Sequence, residues 1–205
     1  MKPGAAERPE VVVATSNPGK LREIRAILAD LPVSFRTLAD FPGVALPEES
    51  DDYEANAIAK ARTVARTTGR LALGDDSGIE VDALDGAPGP HSARYGGPGL
   101  SDGERARKLL DALRAAPAGQ RGARFVCVAA LASPADEVVT ARGECAGSIL
   151  LEPRGEGGFG YDPVFQPHER DGSMAQLSPA DKNRISHRAR ALRGLAADIE
   201  RLATR

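Results

Sequence analysis

Two adjacent aspartates, Asp75 and Asp76, stand between two short apolar runs, and they constrain the fold more than any other feature of the chain. The first run is Leu71–Leu73, and the second, Ile79–Val81, alternates as a half-buried strand does. Neighbouring carboxylates repel each other, so a folded chain usually sets a positive group against them, and a divalent cation with oxygen ligands is one such group. The alternative is an Asp-rich turn, which Asp, Ser and Gly favour on local grounds alone. The pair therefore predicts either a cation site or a turn.

Length and charge narrow the class of protein. The chain has 205 residues, enough for one domain, or one domain in two lobes, with a substantial core. Its formal net charge of −2 argues against a protein that coats a nucleic acid polymer, because such proteins normally carry a basic excess. Any phosphate that the chain binds should therefore be held by a local cluster of Lys and Arg.

Cysteine usage and hydropathy indicate the compartment. Cys127 and Cys145 are isolated and lack metal-ligand spacing, which is typical of buried thiols in a reducing environment. The N-terminus has no apolar signal core, and no apolar run approaches the length of a membrane span. We therefore expect a soluble, cytoplasmic protein that does not act in a membrane.

A small polar loop near the N-terminus has the layout of an anion site. The β-branched run Glu10–Ala14 predicts a buried strand, and apolar residues recur at helical spacing from Leu21 to Leu31. A loop between a strand and a helix aims backbone N–H groups and the helix N-terminus at a bound anion. Lys20 at the helix start opposes the helix dipole, which makes sense when a phosphate lies between them. The glycine spacing of the common P-loop is absent, and an ordinary turn is the alternative.

The segment Tyr53–Thr68 is rich in alanine and stops at Gly69, which predicts a helix that follows the acidic run Glu48–Asp52. Asn56 and Lys60 are four residues apart and therefore share one face of this helix. An Asn in a helix is usually a surface residue. Beside Lys60, and just ahead of the two aspartates, it equally fits a residue that faces a cleft.

The second half of the chain predicts a helix over Asp102–Ala115, a hairpin of strands over Ala123–Ala132 and Glu137–Leu151, and a glycine-rich segment, Pro153–Pro163. The glycines allow close approach of a ligand, and two aromatic rings in this aromatic-poor chain offer faces for a flat base. A glycine-rich surface loop is the alternative. A further helix begins at Ser178-Pro179, and the basic residues in it are either a solvated face or ligand contacts.

Together these stretches resemble one family along almost the whole chain: the inosine/xanthosine triphosphate pyrophosphatases, which clear deaminated purine nucleotides. The resemblance rests on separate motifs in the expected order: ATSNPGKLREI, Glu48 with the later Asn56-Ala57 and Lys60-Ala61, GDDSGIEVDALDGAPG followed by SARY, PRGEGGFGYDPVF, and LSPADKNRISHRARAL. It implies an α/β fold in which helices flank an elongated mixed β-sheet, with two lobes around a central active-site cleft. It also implies a homodimer.

The resemblance further implies a reaction and its residues. Water would attack the α-phosphorus of ITP, dITP or XTP and release monophosphate and pyrophosphate, with Asp76 as proton acceptor and with Mg²⁺ held by Glu48 and Asp76. Asp75 would support this site, Lys60 would add positive charge beside the phosphates, and Ser77 would touch the substrate. The triphosphate would be cradled by Thr15, Ser16, Asn17, Pro18, Gly19 and Lys20, and the nucleoside would be surrounded by Phe159, Gly160, Tyr161, Asp162, Lys182, His187 and Arg188.

The chain departs from the family pattern in three places. Glu49-Ser50 replaces a usual Thr-Gly after the metal glutamate, Gly74 replaces a common Ala, and Gln176 replaces a common Glu. Three other functions stay open: a pyrophosphatase for other nucleotides such as modified pyrimidines, a nucleotide-binding regulator without catalysis, and a single-stranded nucleic-acid module. A pure binder would not need the water-activating set of acids, and the acidic balance disfavours nucleic acid.

Overall fold

The computed structural model describes residues 8–204, which form a seven-stranded mixed β-sheet flanked by helices. The strands lie in the order β2-β1-β3-β5-β6-β7, and β4 pairs with β3 outside this row. β1 runs parallel to β2 and β3, and the remaining pairings are antiparallel. The strands are β1 (Glu10–Val13), β2 (Ser34–Thr37), β3 (Leu71–Val81), β4 (Pro88–Gly89), β5 (Gly122–Ala132), β6 (Val138–Ile149) and β7 (Phe165–Pro167). The expected α/β class with a mixed sheet is confirmed, whereas the division into two lobes stays a prediction.

Six α-helices occur in the described residues: α1 (Pro18–Ile27), α2 (Tyr53–Thr68), α3 (Asp102–Ala112), α4 (Pro179–Ile185), α5 (His187–Gly194) and α6 (Ala196–Ala203). Most begin at a side chain that accepts a hydrogen bond from the first turn, as helix N-caps do: Asn17, Asp52, Ser101, Ser178 and Ser186. The bounds predicted for α2 are confirmed, and α3 ends three residues earlier than expected. No helix in residues 8–204 is long and apolar enough to cross a membrane.

The core is built mainly from Ala, Val and Leu on both faces of the central strands. On one face, α1, α5 and α6 pack against β1, β3 and β5, and on the other face α2 covers the same strands. A further cluster joins α3 and α4 to the end of β3 and to β5, β6 and β7. Because α2 covers one face of β3 and α1 and α5 cover the other, side chains at odd and even positions of that strand meet different helices.

Of the two alternatives for the two aspartates, the turn is wrong. Strand β3 runs without interruption through Asp75 and Asp76, which lie opposite Ala129 and Val128 of β5. Local turn preference is overridden here because β5 supplies a backbone partner along nearly the whole of β3. The two apolar runs on either side of the aspartates are therefore parts of one strand rather than two strands joined by a loop.

Candidate active site

The functional side chains gather where one edge of β3 is free. Strand β1 pairs with β3 only as far as Leu73, and β4 pairs with it again from Ile79. Between these points β3 has a strand partner on one side only, within the described residues. The phosphate-loop residue Lys20 lies at this gap and places its ammonium group 3.1 Å from Asp75. The end of β1 and the end of β4 therefore bound an opening in the sheet beside the two aspartates.

Asp76 faces α2. Its Oδ1 accepts a hydrogen bond from Lys60 Nζ at 2.8 Å, and its Oδ2 accepts one from Asn56 Nδ2 at 2.9 Å. Asn56 and Lys60 are both buried, so the cleft-facing alternative for this pair is the correct one. Burial raises the pKa of Asp76 above the ordinary Asp value, and the contacts with Lys60 and Asn56 offset only part of that effect. Asp76 therefore has a higher proton affinity than an ordinary aspartate.

A second carboxylate reaches Lys60, and it belongs to Glu49. Its Oε1 lies 2.5 Å from Lys60 Nζ, and its Oε2 lies 3.0 Å from Arg94 Nη1. Glu48, the residue implied by the family resemblance, is exposed to solvent. Glu49 is placed beside Lys60 by the hydrogen bonds between Ser50 and Asn56, because these bonds fix the chain direction just after Glu49. The assignment of Glu48 stays a prediction, and the geometry adds Glu49 as its competitor.

Asp75 points to the opposite face of the sheet, toward α1 and α5. Arg188 Nε donates to its Oδ2 at 3.1 Å, and the same guanidinium donates through Nη2 to Ser77 Oγ at 2.8 Å. Burial alone would raise the pKa of Asp75, but Lys20 and Arg188 outweigh it and hold that pKa below the ordinary value. Asp75 is therefore a permanent anion that fixes two cations at the site.

Glu23 of α1 is a site residue that sequence reasoning missed. Its carboxylate pairs with Lys182 Nζ at 2.7 Å and with Arg188 Nη1. Burial opposes its ionisation, but Arg188 and Lys182 lower its pKa below the usual range. The one sequence feature that could have indicated its role is its position three residues after Lys20, which places both side chains on one face of the helix. In the sequence alone it looks like any charge on a helix surface.

A cavity of about 230 Å³ lies beside this network. Its walls include the phosphate-loop side chains Asn17 and Lys20 at one part, and at another the aromatic residue Phe125 of β5, which sequence reasoning also missed. Ten predicted site residues line it: Asn17, Lys20, Ser77, Phe159, Gly160, Tyr161, Asp162, Lys182, His187 and Arg188. Ser77, next to Asp76 on β3, is one of these walls. The walls do not include Lys60, Asp76, Glu48 or the remaining phosphate-loop residues Thr15, Ser16, Pro18 and Gly19.

The phosphate loop is arranged around Asn17. Its Oδ1 accepts hydrogen bonds from Gly19 N at 2.8 Å and Lys20 N at 3.1 Å, which caps α1. Ser16 and Pro18 are exposed, and Thr15 is half-buried. The loop therefore places Lys20 beside the capped start of α1, and the anion site stays a prediction.

The glycine-rich segment supplies one wall of the cavity. Phe159 lies under the ammonium group of Lys182, 4.7 Å from the ring centroid, and Lys182 also pairs with buried Asp162. His187 stacks on Phe125 with ring centroids 4.7 Å apart, and burial lowers its pKa well below the usual value, so the imidazole is neutral. The region thus combines flat apolar faces with a few fixed donors, which suits a nucleobase.

The residues fit a hard divalent cation only in part. Among residues 8–204 no three or more His, Cys, Asp or Glu side chains form a ready-made metal site. Two carboxylates, Asp76 and Glu49, do converge on the ammonium group of Lys60, which shows that positive charge is favoured there. Mg²⁺ is commonly held by one or two carboxylates and completed by substrate phosphates and water. The donor set therefore fits Mg²⁺ that arrives with a nucleotide.

Comparison with known proteins gives a consistent result. The model of the Ham1 family matches residues 11–198. The chain is 51% identical over 185 residues to a protein of Geobacter sulfurreducens named dITP/XTP pyrophosphatase, covering 89% of this chain and 92% of that one. It is 45% identical to a protein of the same name from Geobacillus kaustophilus, covering 94% and 95% of the two chains.

Solved structures agree with these sequence relationships. A HAM1 protein from Coxiella burnetii superposes with a TM-score of 0.84 at 42% identity, covering 94% of this chain and 99% of that one. A nucleoside-triphosphatase / dITP/XTP pyrophosphatase from Mycobacterium abscessus superposes with a TM-score of 0.73 at 40% identity, covering 93% and 98%. The similarity therefore extends over nearly the whole of each chain.

Proposed function

Because the chain belongs to the Ham1 family, we propose that it hydrolyses the deaminated purine nucleotides dITP, ITP and XTP to the monophosphate and pyrophosphate. The observation that carries the proposal is the pair of aspartates on β3, each facing its own set of cations, with Lys20 and Arg188 of this network lining the cavity. Cleavage of a triphosphate needs charge neutralisation on several oxygens and a positioned water, and little covalent help. These residues provide both.

In this mechanism Asp76 accepts the proton of the water that attacks the α-phosphorus. Its raised pKa makes it a better base than an exposed aspartate, and Lys60 and Asn56 hold its two oxygens in place. Lys20 and the start of α1 bind the phosphate oxygens, and the ion pair with Asp75 orients Lys20. The chain thus divides base catalysis and phosphate binding between the two faces of β3.

Mg²⁺ is part of the proposal. Asp76 would hold it together with a glutamate, either Glu48 or Glu49, and the phosphates would complete its coordination. When bound, Mg²⁺ lowers the pKa of a bound water and screens phosphate charge. A matched pair of variants separates the two candidates: Glu49→Gln should raise the Mg²⁺ concentration needed for half-maximal activity at least about tenfold, the lower end for lost metal contacts. Glu48→Gln should leave it within about twofold of wild type, and the reverse order would return the role to Glu48.

Base selection follows from hydrogen-bond matching in the cavity. Hypoxanthine and xanthine carry an oxygen acceptor at position 6, whereas adenine carries an amino donor there. Donors such as Lys182 and Arg188 would satisfy the oxygen. An adenine amino group would instead face their N–H groups and find no acceptor, at a cost of about 1–3 kcal/mol for each unsatisfied group. Discrimination against ATP of roughly 10²-fold or more is therefore expected. GTP shares the 6-oxygen, so its 2-amino group must be rejected by shape or by unpaired polarity.

One experiment tests the reaction and its selectivity together. The protein is incubated with Mg²⁺ and dITP, ITP, XTP, ATP or GTP in water enriched in ¹⁸O. We expect label in the nucleoside monophosphate, unlabelled pyrophosphate as the other product, and kcat/KM for the 6-oxo substrates other than GTP well above the rest. Orthophosphate as the first product would point to a γ-phosphatase, and equal values for all five would leave a general nucleotide pyrophosphatase.

The assembly and compartment are also proposed rather than observed. A homodimer in the cytoplasm, with two lobes around the cavity, is what the family resemblance implies. Light scattering coupled to size-exclusion chromatography measures the mass directly, and a mass near 21.5 kDa would exclude the dimer under the conditions used.

A further inference from the structure

The glycine-rich loop, residues 153–163, must be held in place by contacts from outside itself. Three of its glycines, Gly155, Gly158 and Gly160, have φ between +61° and +78°, a region that glycine enters without steric cost. The same freedom means that the loop has little intrinsic preference for its folded conformation. Since Phe159 is in this loop, its place in the cavity depends on whatever fixes the neighbouring backbone.

Two hydrogen bonds from outside the loop hold the residues just after Phe159, while Lys182 and Arg188 contact the Phe159 ring itself. Gly160 N donates a hydrogen bond to Asp102 Oδ2 at 2.7 Å, and the Tyr161 hydroxyl donates to Ser92 O at 2.8 Å. Phe159 N is held only within the loop, by Asp162 Oδ2 at 2.8 Å. The first contact lies directly beside Phe159 in sequence and uses a carboxylate, which makes it a charge-assisted hydrogen bond.

Asp102 is mounted on a rigid support. It is the first residue of α3, whose inner face packs through Ala106, Leu109 and Leu113 into the same hydrophobic cluster as Tyr161. Asp102 is itself exposed and adjoins the cavity. Removing its side chain therefore creates no cavity in the core but removes the hydrogen bond between α3 and the loop.

We propose that Asp102 is a positioning residue for the base: by holding Gly160 N it sets the plane of Phe159 against which the nucleobase lies. The inference rests on the proposed function, because it assigns Asp102 to the base end of that same cavity. Asp102 acts through the loop backbone, not on the reacting atoms. Loss of its side chain should therefore weaken the binding of substrate and of transition state equally. KM should rise, and kcat should stay nearly unchanged.

The matched control is Glu104 on the same first turn of α3. Glu104 is also exposed and accepts hydrogen bonds from Ser101 N and Oγ at 2.7 Å in a capping box, and in residues 8–204 these bonds do not involve the glycine-rich loop. Asp102→Ala and Glu104→Ala both remove an acid from the helix start, so both weaken α3 in a similar way. Only Asp102→Ala removes the hydrogen bond to Gly160 N.

The test compares KM and kcat for dITP and the Ki of inorganic tripolyphosphate, which has phosphates but no base. Asp102→Ala should raise KM for dITP about five- to tenfold, the scale of a typical net intramolecular hydrogen bond. Its kcat should stay within about twofold of wild type, and the Ki of tripolyphosphate should not change. Asp102→Asn keeps an oxygen acceptor, so KM should return to within about threefold of wild type, and Glu104→Ala should leave KM at the wild-type value.

Two results would overturn the inference. Equal KM values in Asp102→Ala and Glu104→Ala would mean that only the helix start matters, and a matching loss of tripolyphosphate inhibition would mean that the whole site is disturbed. Wild-type turnover is measured first. Its absence would refute the proposed function, whereas wild-type turnover with unchanged Asp102→Ala kinetics would refute only the role of Asp102.

Discussion

Replacing Asp76 by asparagine removes the proposed base while keeping the size and shape of the side chain. Both oxygens of Asp76 are used, one by Lys60 and one by Asn56. The amide of Asn56 cannot turn over, because its Oδ1 already accepts hydrogen bonds from Ser50 N at 2.7 Å and Ser50 Oγ at 2.9 Å. An asparagine at position 76 must therefore turn its NH₂ group toward a donor, whichever way it is placed.

These contacts give the size of two separate effects. One mismatched donor pair in a buried site should reduce the free energy of unfolding by about 1–3 kcal/mol. Lys60 keeps Glu49 as a partner at 2.5 Å, so the variant should still fold. Loss of the base should lower kcat at least about 10²-fold, or ~2.7 kcal/mol in the activation barrier. KM should change much less, because proton transfer occurs only in the transition state.

The assay measures steady-state hydrolysis of dITP with pyrophosphate detection, together with urea unfolding to confirm that the variant is folded. Asp75→Asn is the matched control on the other face of the same strand. It frees Lys20 and Arg188, so it should weaken substrate binding and stability, with a smaller effect on kcat. A kcat for Asp76→Asn within about fivefold of wild type would refute the assignment, and a large loss confined to Asp75→Asn would move the base to Asp75.

Three other predictions follow from single contacts. Lys20→Ala should raise KM and lower kcat, since the triphosphate is charged before and during reaction, and steady-state kinetics with dITP would detect a change in only one of them. Glu23→Gln should lose about 1–3 kcal/mol of stability at pH 7, because Lys182 and Arg188 each lose one carboxylate partner and keep the other, Asp162 or Asp75. Because the folded-state pKa of Glu23 is lowered, its stabilisation is present above the ordinary value of 4.5 and disappears as pH falls through the folded value, so the gap to wild type in urea unfolding should close in acid. Gly78→Ala would bring a Cβ within 2.1 Å of Gly89 O and should cost about 1–3 kcal/mol, whereas Gly103→Ala on α3, with no atom within 4 Å, should be neutral or stabilising by the same unfolding measurement.

Features with a strong local cause could be predicted from the sequence. Helix α2 begins after an N-cap at Asp52 and ends at Gly69 in the left-handed conformation, and both signals are visible in the sequence. The hairpin of β5 and β6 follows equally from alternating runs around Ser133–Asp136. The set of residues around the cavity came from the family resemblance rather than from propensity.

Features that depend on distant partners could not be predicted in this way. The two aspartates read as a turn because turn preference is a local property, whereas their strand depends on β5, which lies about fifty residues later in the chain. Glu23 and Arg188 meet across 165 residues of sequence, so neither residue gives a local sign of the pair. The contact between Glu49 and Lys60 likewise lies beside the hydrogen bonds between Ser50 and Asn56, at the place where the chain departs from the family pattern.

The strand geometry explains how two neighbouring aspartates can have different tasks. Successive side chains of β3 project to opposite faces, so Asp75 meets Lys20 and Arg188 while Asp76 meets Lys60. The two cations on Asp75 lower its pKa, whereas burial dominates at Asp76 and raises its pKa. Where neighbouring acids are pushed apart in this way, the one with the raised pKa is suited to take up a proton and the other to remain an anion. A turn would have exposed both carboxylates to the same solvent and the same charges, so the separation of roles depends on the continuous strand.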